Sequence, residues 1–595
     1  MSILADISRL VSPCSFPDRD TRHPLLLSPA PLVSLFSGPT PMATPHPDVV
    51  PGTVHLVDVA GQRASSKSKD GIELIPRPSD DPEDPLNWSG ARKKWSAFMV
   101  VIYTVGIGMP LTLQYSVLAD ITKDTGISTA SLVEGTGYMF LLLGWGCVFW
   151  QPIAQTYGRR GVYLISALAC VPLMVWTAYS KTSSDWYAHR IICGFFAAPI
   201  ESLPEISIPD VFFAHDRGAW MSLYVFALFG SNFLAPLCAG WFAEAYGWRW
   251  TMHFGAIMCA VTFVILFFGM EETMYFRKTL EGLEDEEPVP PVGRDKKGSD
   301  NGVVVQSSSG ASSVTYLLKR TYLQRLAPFV SMDGHPSNKQ MFLSMWLPLP
   351  ILIQFPTVLW AGFIYGISLC WYTVLNGTAS PILSAPPYNW STGLVGCIYT
   401  GPIVGAAFGC LCKRSPTLHL AANANICFPG SGLVADKITL WLARRNNGIR
   451  EPEQRLWSLA LSAFTTCIGL IIWGVGAQNE IHWAGLVFGL GIMTFGVVTG
   501  GSVALAYNVD CFKDISGNST TSIIIVRNCM GFAIGYGITP WYTGMGLQNC
   551  FLLAGFLSLG CTCTFLLMIW KGKALRRWSA PRYWEYAAKS KAFAH

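Results

Sequence analysis

Three ionisable side chains, Arg190, Glu201 and Glu205, fall inside one apolar stretch, residues 186–209. At about 100° per residue a helix turns Glu201 about 20° and Glu205 about 60° away from Arg190, which puts all three on one face. An ionised group at membrane depth costs at least roughly 2.5–3.5 kcal/mol on insertion scales, so such groups turn to water or to a partner. The protonation of a carboxylate there depends on how wet the cavity is and how near a guanidinium stands. The expected chemistry is proton pick-up and release by Glu201 and Glu205, tuned by Arg190. The plainer alternative is a structural pair in which Arg190 only neutralises one glutamate. On the first reading Glu201→Gln weakens pH dependence and leaves folding largely intact. Gln114, Asn232, Tyr365, Trp371, Arg527 and Asn528 are further polar or amphipathic groups at depth, and Asp510 closes the tenth apolar stretch. Aromatic walls with a few polar groups suit a bulky, partly apolar solute, although each aromatic alone fits packing or an interfacial belt.

The elements that must position these residues are membrane helices. Crossing about 30 Å of hydrocarbon takes roughly 20 mostly apolar residues, and only a helix or closed barrel satisfies its own backbone there. Such windows occur at 96–118, 132–154, 162–179, 186–209, 220–242 and 252–270, then at 349–375, 391–412, 458–476, 483–507, 522–541 and 550–570. The composition agrees, with 51% hydrophobic residues, 13% charged and a mean hydropathy of +0.35. The expected fold class is an all-α membrane protein of twelve transmembrane helices in two six-helix bundles. Its organisation is a disordered cytosolic tail over 1–95, a first bundle over 96–270, a cytosolic central loop over 271–345, a second bundle over 346–570 and a cytosolic tail over 571–595.

Lys and Arg gather on alternate loops, at residues 92–94, 159, 160, 217, 444, 445 and 571–577, whereas the opposite loops hold Lys123, Lys181 and Arg249. That bias places both termini in the cytosol. It also reads as a topology signal, which makes nucleic acid an unsuitable partner for a net charge of +5. The Asn376 and Asn389 sequons fall in an outward loop on this map and are glycosylation candidates, though such triplets are common by chance. Residues 413–430, with two prolines and several polar groups, interrupt a helix end and read as a retained intron or an inserted, poorly ordered loop. Seventeen Cys lie mostly in apolar windows and form neither a disulfide framework nor a zinc spacing.

Several short words then carry a family resemblance. Gly158, Arg159 and Arg160 follow the second window, and Gly432 and Asp436 follow the eighth. Together they resemble the G-x-x-x-D-x-x-G-R-[RK] turn of the major facilitator superfamily, split between the halves. Gln151 and Gln155 replace the motif's Gly and Asp in the first copy, and Arg159 and Arg160 read equally as positive-inside anchors. Arg190-x-x-x-Gly194 resembles the family's R-x-x-x-G motif, whose Arg is associated with proton transfer. Pro236 and Gly240, in a degraded G-x-x-x-G-P-x-x-G-G, resemble the antiporter motif, with close helix packing as the competing explanation. Flanking words such as Asp81–Ser89 and Asp210–Gly218 look like the fungal branch of the twelve-helix drug:proton antiporters, over about residues 80–578.

The resemblance implies alternating access around a central site between two bundles. The expected function is proton-coupled efflux of a small hydrophobic or amphipathic compound, such as a xenobiotic, toxin or secondary metabolite. The alternatives are proton-symport uptake of a nutrient such as a polyamine or siderophore, and a non-transporting sensor. An enzyme or ATP-driven pump is disfavoured, because the sequence holds no G-x-x-x-x-G-K-[ST] phosphate loop. No cofactor or metal is expected, with the proton gradient as driving force. The expected partners are a small-molecule substrate, protons and the bilayer, for a monomer in the plasma membrane.

Overall fold

The computed structural model describes residues 50–55, 78, 79, 81, 83–275, 325–327, 329, 337–410, 438, 439, 441, 442, 445, 446 and 449–593. The expectations for most of the N-terminal tail and of the central loop, for residues 413–430, and for Gly432 and Asp436 fall outside that set, whereas residues 571–593 of the expected C-terminal tail are described and belong to one helix. The first half consists of α1 (Gly90–Thr112), α2 (Leu118–Thr125), α3 (Thr129–Tyr157), α4 (Arg159–Tyr179), α5 (Ser183–Ala197), α6 (Pro199–Val211), α7 (Ala214–Tyr246) and α8 (Trp248–Gly269). The second half consists of α9 (Asn338–Trp346), α10 (Pro348–Gln354), α11 (Pro356–Ser384), α12 (Thr392–Cys397), α13 (Thr400–Cys410), α14 (Leu459–Gln478), α15 (Trp483–Cys511), α16 (Ser516–Met545), α17 (Leu547–Cys563) and α18 (Phe565–Phe593).

Among the described residues twelve helical spans are long and apolar enough to cross a bilayer, with α5–α6, α12–α13 and α17–α18 each acting as one broken rod. The protein is an integral membrane protein whose spans are all helical. Large apolar side chains such as Phe149, Ile257, Val264, Phe268 and Phe556 stay exposed around the outside, as a lipid-facing surface requires. The seventh span differs from its hydropathy window, running from Pro356 to Ser384 instead of 349–375. Pro348, Pro350 and Pro356 cut the apolar run before the span begins, so its first residues form the separate helix α10. The same displacement corrects Asn376. It is fully buried inside α11 rather than in a loop, so it is inaccessible to glycosylation, whereas Asn389 is exposed.

The halves meet chiefly along two helix pairs, α3 against α16 and α7 against α12–α13. Both contacts rest on glycine. A Cβ on Gly137 would lie 3.2 Å from the Phe532 carbonyl, and one on Gly535 3.1 Å from the Gly137 Cα, so the backbones touch directly. At the end of the molecule where the arginines cluster, Gln151 of α3 accepts a hydrogen bond from Thr521 of α16.

A short strap crosses that same end. Strand β1 (Val54–His55) pairs antiparallel with β2 (Ile449–Arg450), the described protein's one sheet. Beside it the buried Arg576 of α18 donates to both Glu453 carboxylate oxygens, at 2.8 and 2.7 Å, and to the Pro51 carbonyl. Gly52 adopts φ +80° against the backbone of Asp510 and Cys511, where a side chain would collide.

Candidate functional site

The fourth span breaks at Ala198, where Pro199 lacks the amide that would continue the ladder and starts α6 afresh. Glu201 sits in the first turn of α6 and points across the molecule to the second half. Its carboxylate forms an ion pair with Arg527 of α16 and accepts a hydrogen bond from the Asn528 amide at 2.9 Å. Arg527 also donates to the Tyr365 hydroxyl of α11 at 2.8 Å, with its guanidinium 4.6 Å from that ring. Each member of this network is buried. Gly144 of α3 makes the approach possible, since a Cβ there would meet the Asn528 Cβ at 2.7 Å.

One turn further along α6, Glu205 lines a narrow cavity of about 10 Å³, room for little more than one water, together with Glu201, Tyr224, Tyr365 and Arg527. Glu205 forms no ion pair among the described residues. Tyr224 of α7, which the sequence reading missed, donates to the Ile200 carbonyl at 3.0 Å and fixes the start of α6. A tyrosine in an apolar window carries no sequence signal that separates such a role from packing. Of the expected lining residues, Glu201, Glu205, Tyr365 and Arg527 meet at this cavity, with Asn528 behind Glu201. Asn232 is half-buried on α7, and Trp371 and Gln114 are buried elsewhere; none of the three lines it.

Arg190 departs from the expected triad. It belongs to α5, on the far side of the Pro199 break, and donates to the Leu111 carbonyl at 3.3 Å with its guanidinium 4.7 Å from the Trp186 ring. Neither glutamate pairs with it among the described residues, and the helical-wheel estimate fails because the rod is not continuous. Gly194 of the same motif has a packing reason: a Cβ there would lie 2.3 Å from the Met139 carbonyl of α3.

The turn between α3 and α4 is a carboxylate latch after all, but the acids come from elsewhere. Glu272 accepts from the amides of Arg159 and Arg160 at 3.1 and 3.0 Å, capping the N-terminus of α4, and from those of Thr273 and Met274 at 3.0 and 2.9 Å. Gly158, at φ +117°, leaves room for that carboxylate. Arg159 pairs with Asp210 at the end of α6 at 2.7 Å, and Arg160 donates to the Met270 and Phe267 carbonyls at 2.7 and 2.6 Å, closing the end of α8. Both arginines are therefore more than positive-inside anchors. Glu272→Ala, which strips four amides of their acceptor, is expected to lower stability by about 1–3 kcal/mol, read as a lower unfolding temperature of the purified protein. In the second half Asp510 pairs with Arg450 and Arg455 at 3.3 and 3.2 Å. Gly240 and Pro236 of α7 lie against α12, where a Cβ on Gly240 would be 2.6 Å from the Thr392 carbonyl and one on Gly396 2.8 Å from that of Pro236.

This arrangement places a titratable carboxylate on one half and its counter-charge on the other, at the centre of a closed interface. The family described as the Major Facilitator Superfamily matches residues 96–508. An uncharacterised MFS-type transporter of Schizosaccharomyces pombe is 29% identical, covering 90% of this chain and 94% of its own. The protein HOL1 of Saccharomyces cerevisiae is 26% identical over 90% and 97%, and the MFS transporter cpaT of Aspergillus oryzae 25% over 83% and 90%. In fold, the solved structure of the proton:xylose symporter XylE is similar with a TM-score of 0.50 at 11% identity, covering 81% of this chain and 97% of that one.

Proposed function

The chain belongs to the Major Facilitator Superfamily and is a membrane transporter; on that premise we propose that it exports a small hydrophobic or amphipathic compound in exchange for protons. The observation that carries this reading is the Glu201–Arg527 pair, which bridges the two halves at membrane depth. A charged Glu201 binds Arg527 and holds the halves together at this level. A proton on Glu201 removes the attraction and leaves Arg527 seeking water or solute, so protonation favours parting. Glu205, facing the same cavity, is the second proton carrier, and the tyrosine walls supply an amphipathic surface for the solute. Relatives in Aspergillus oryzae and Penicillium rubens that are named as MFS transporters support a transport role.

The same proposal includes a monomer in the plasma membrane, with the arginine-clustered end and both termini on the cytosolic side, as the loop charge bias indicates. Flux into proteoliposomes under an imposed pH gradient tests it. Exchange predicts solute moving against the proton flow, and Glu201→Gln is expected to abolish the dependence on the gradient. Solute moving with the protons would instead establish uptake by symport, and flux indifferent to the gradient would remove Glu201 from the coupling.

A further inference from the structure

Arg190 is a buried cation without a counter-charge. It is 1% exposed, its Nε and Nη2 have no hydrogen-bond partner, and none of the ion pairs among the described residues includes it. Desolvating a guanidinium this way is strongly unfavourable unless something negative accompanies it. The groups around it repeat the pattern. Both amide atoms of Gln114 and the Tyr115 and Tyr399 hydroxyls are buried and unpartnered, and the buried Tyr372 hydroxyl and Asn376 amide have at most each other. The rings of Tyr115 and Tyr372 meet edge to face at 6.3 Å, and Tyr115 stands within electrostatic range of both Arg190 and Tyr399. Buried polar groups normally find partners, so a donor-rich cluster left open at this density marks a place where a ligand completes the set.

The cluster is also built from both halves. Arg190, Gln114 and Tyr115 belong to the first, and Tyr372, Asn376 and Tyr399 to the second. It lies toward the end opposite the arginine cluster, roughly 16 Å along the fourth rod from Glu201 at 1.5 Å per residue.

We propose that Arg190 anchors a second solute site for an organic carboxylate with a flat or apolar body. The guanidinium takes the carboxylate, the Asn376 amide and tyrosine hydroxyls supply further donors, and Trp186, Tyr115 and Tyr372 flank the body. This deepens the reading above by naming the solute as an amphipathic anion, and rests on it for the route the solute takes.

The test is calorimetric titration of the purified full-length protein with benzoate, benzamide and benzylammonium. Benzoate is expected to bind at least about tenfold tighter than either uncharged or cationic analogue, and Arg190→Gln to weaken it at least about tenfold, with Arg190→Lys intermediate. If Arg190→Gln does not fold, Tyr372→Phe, which removes one hydroxyl, is expected to weaken benzoate several-fold. Equal binding of benzamide, no benzoate binding, chloride binding without benzoate binding, or unchanged affinity in the folded variants overturns the proposal. Glu201→Gln keeps the two claims apart: it is expected to end the pH dependence of flux while the variant still binds benzoate at least about tenfold tighter than benzamide. Lost pH coupling with no carboxylate site, or the reverse, would fail one claim and spare the other.

Discussion

Arg527→Met is expected to abolish gradient-driven flux and to lower the unfolding free energy by about 3–5 kcal/mol, the range for breaking a buried pair from one side. The variant leaves Glu201 buried with only the Asn528 amide as partner, and Tyr365 loses its donor. The double variant Glu201→Gln/Arg527→Met removes both charges and is expected to recover most of the stability but none of the coupling. Denaturant unfolding of the four proteins in one detergent gives the double-mutant cycle. Purely additive losses would mean that the pair does not hold the halves together. The same physics revises the expectation for Glu201→Gln alone. The sequence alone predicts largely intact folding for that variant, but Arg527 then remains as a buried charge.

The second large effect is expected at Gly240. Gly240→Val would push a side chain onto the Thr392 carbonyl and the Gly396 backbone, atoms that cannot move without moving α12. Overpacking of this kind costs about 1–3 kcal/mol, but here it falls on the seam between halves, so the closed arrangement bears it rather than either bundle. Flux is expected to fall by about tenfold or more, since 1.4 kcal/mol is a factor of ten, while each bundle stays folded. Gly230→Ala on the same helix is the control, because nothing lies within 4 Å of its Cβ position. Equal flux in both variants would remove the seam from the transport cycle.

Hydropathy alone located the spans because the bilayer imposes one length and one polarity on each of them. It misplaced the seventh because prolines divide an apolar run that the averaging window joins, and because Asn376-Gly-Thr378 looks like a loop although these polar groups face inward. The individual residues of the central site were visible as charges in apolar windows, but their partnership was not. Glu201 and Asn528 are 327 positions apart, and no local periodicity connects them. The wheel argument instead joined Arg190 to Glu201 because they are neighbours in the chain. The latch misled in the opposite direction: Gln155 stands where a motif carboxylate was sought, while Glu272 arrives from beyond α8, 113 positions from Arg159.

The strap has a consequence for biogenesis. Pro51 leaves the ribosome 525 positions ahead of Arg576, yet the two are bonded. The β1–β2 ladder needs the chain only as far as Arg450, whereas the Arg576–Pro51 bond must wait for α18. The strap can therefore close in two stages, the ladder first and the Arg576 bond after it.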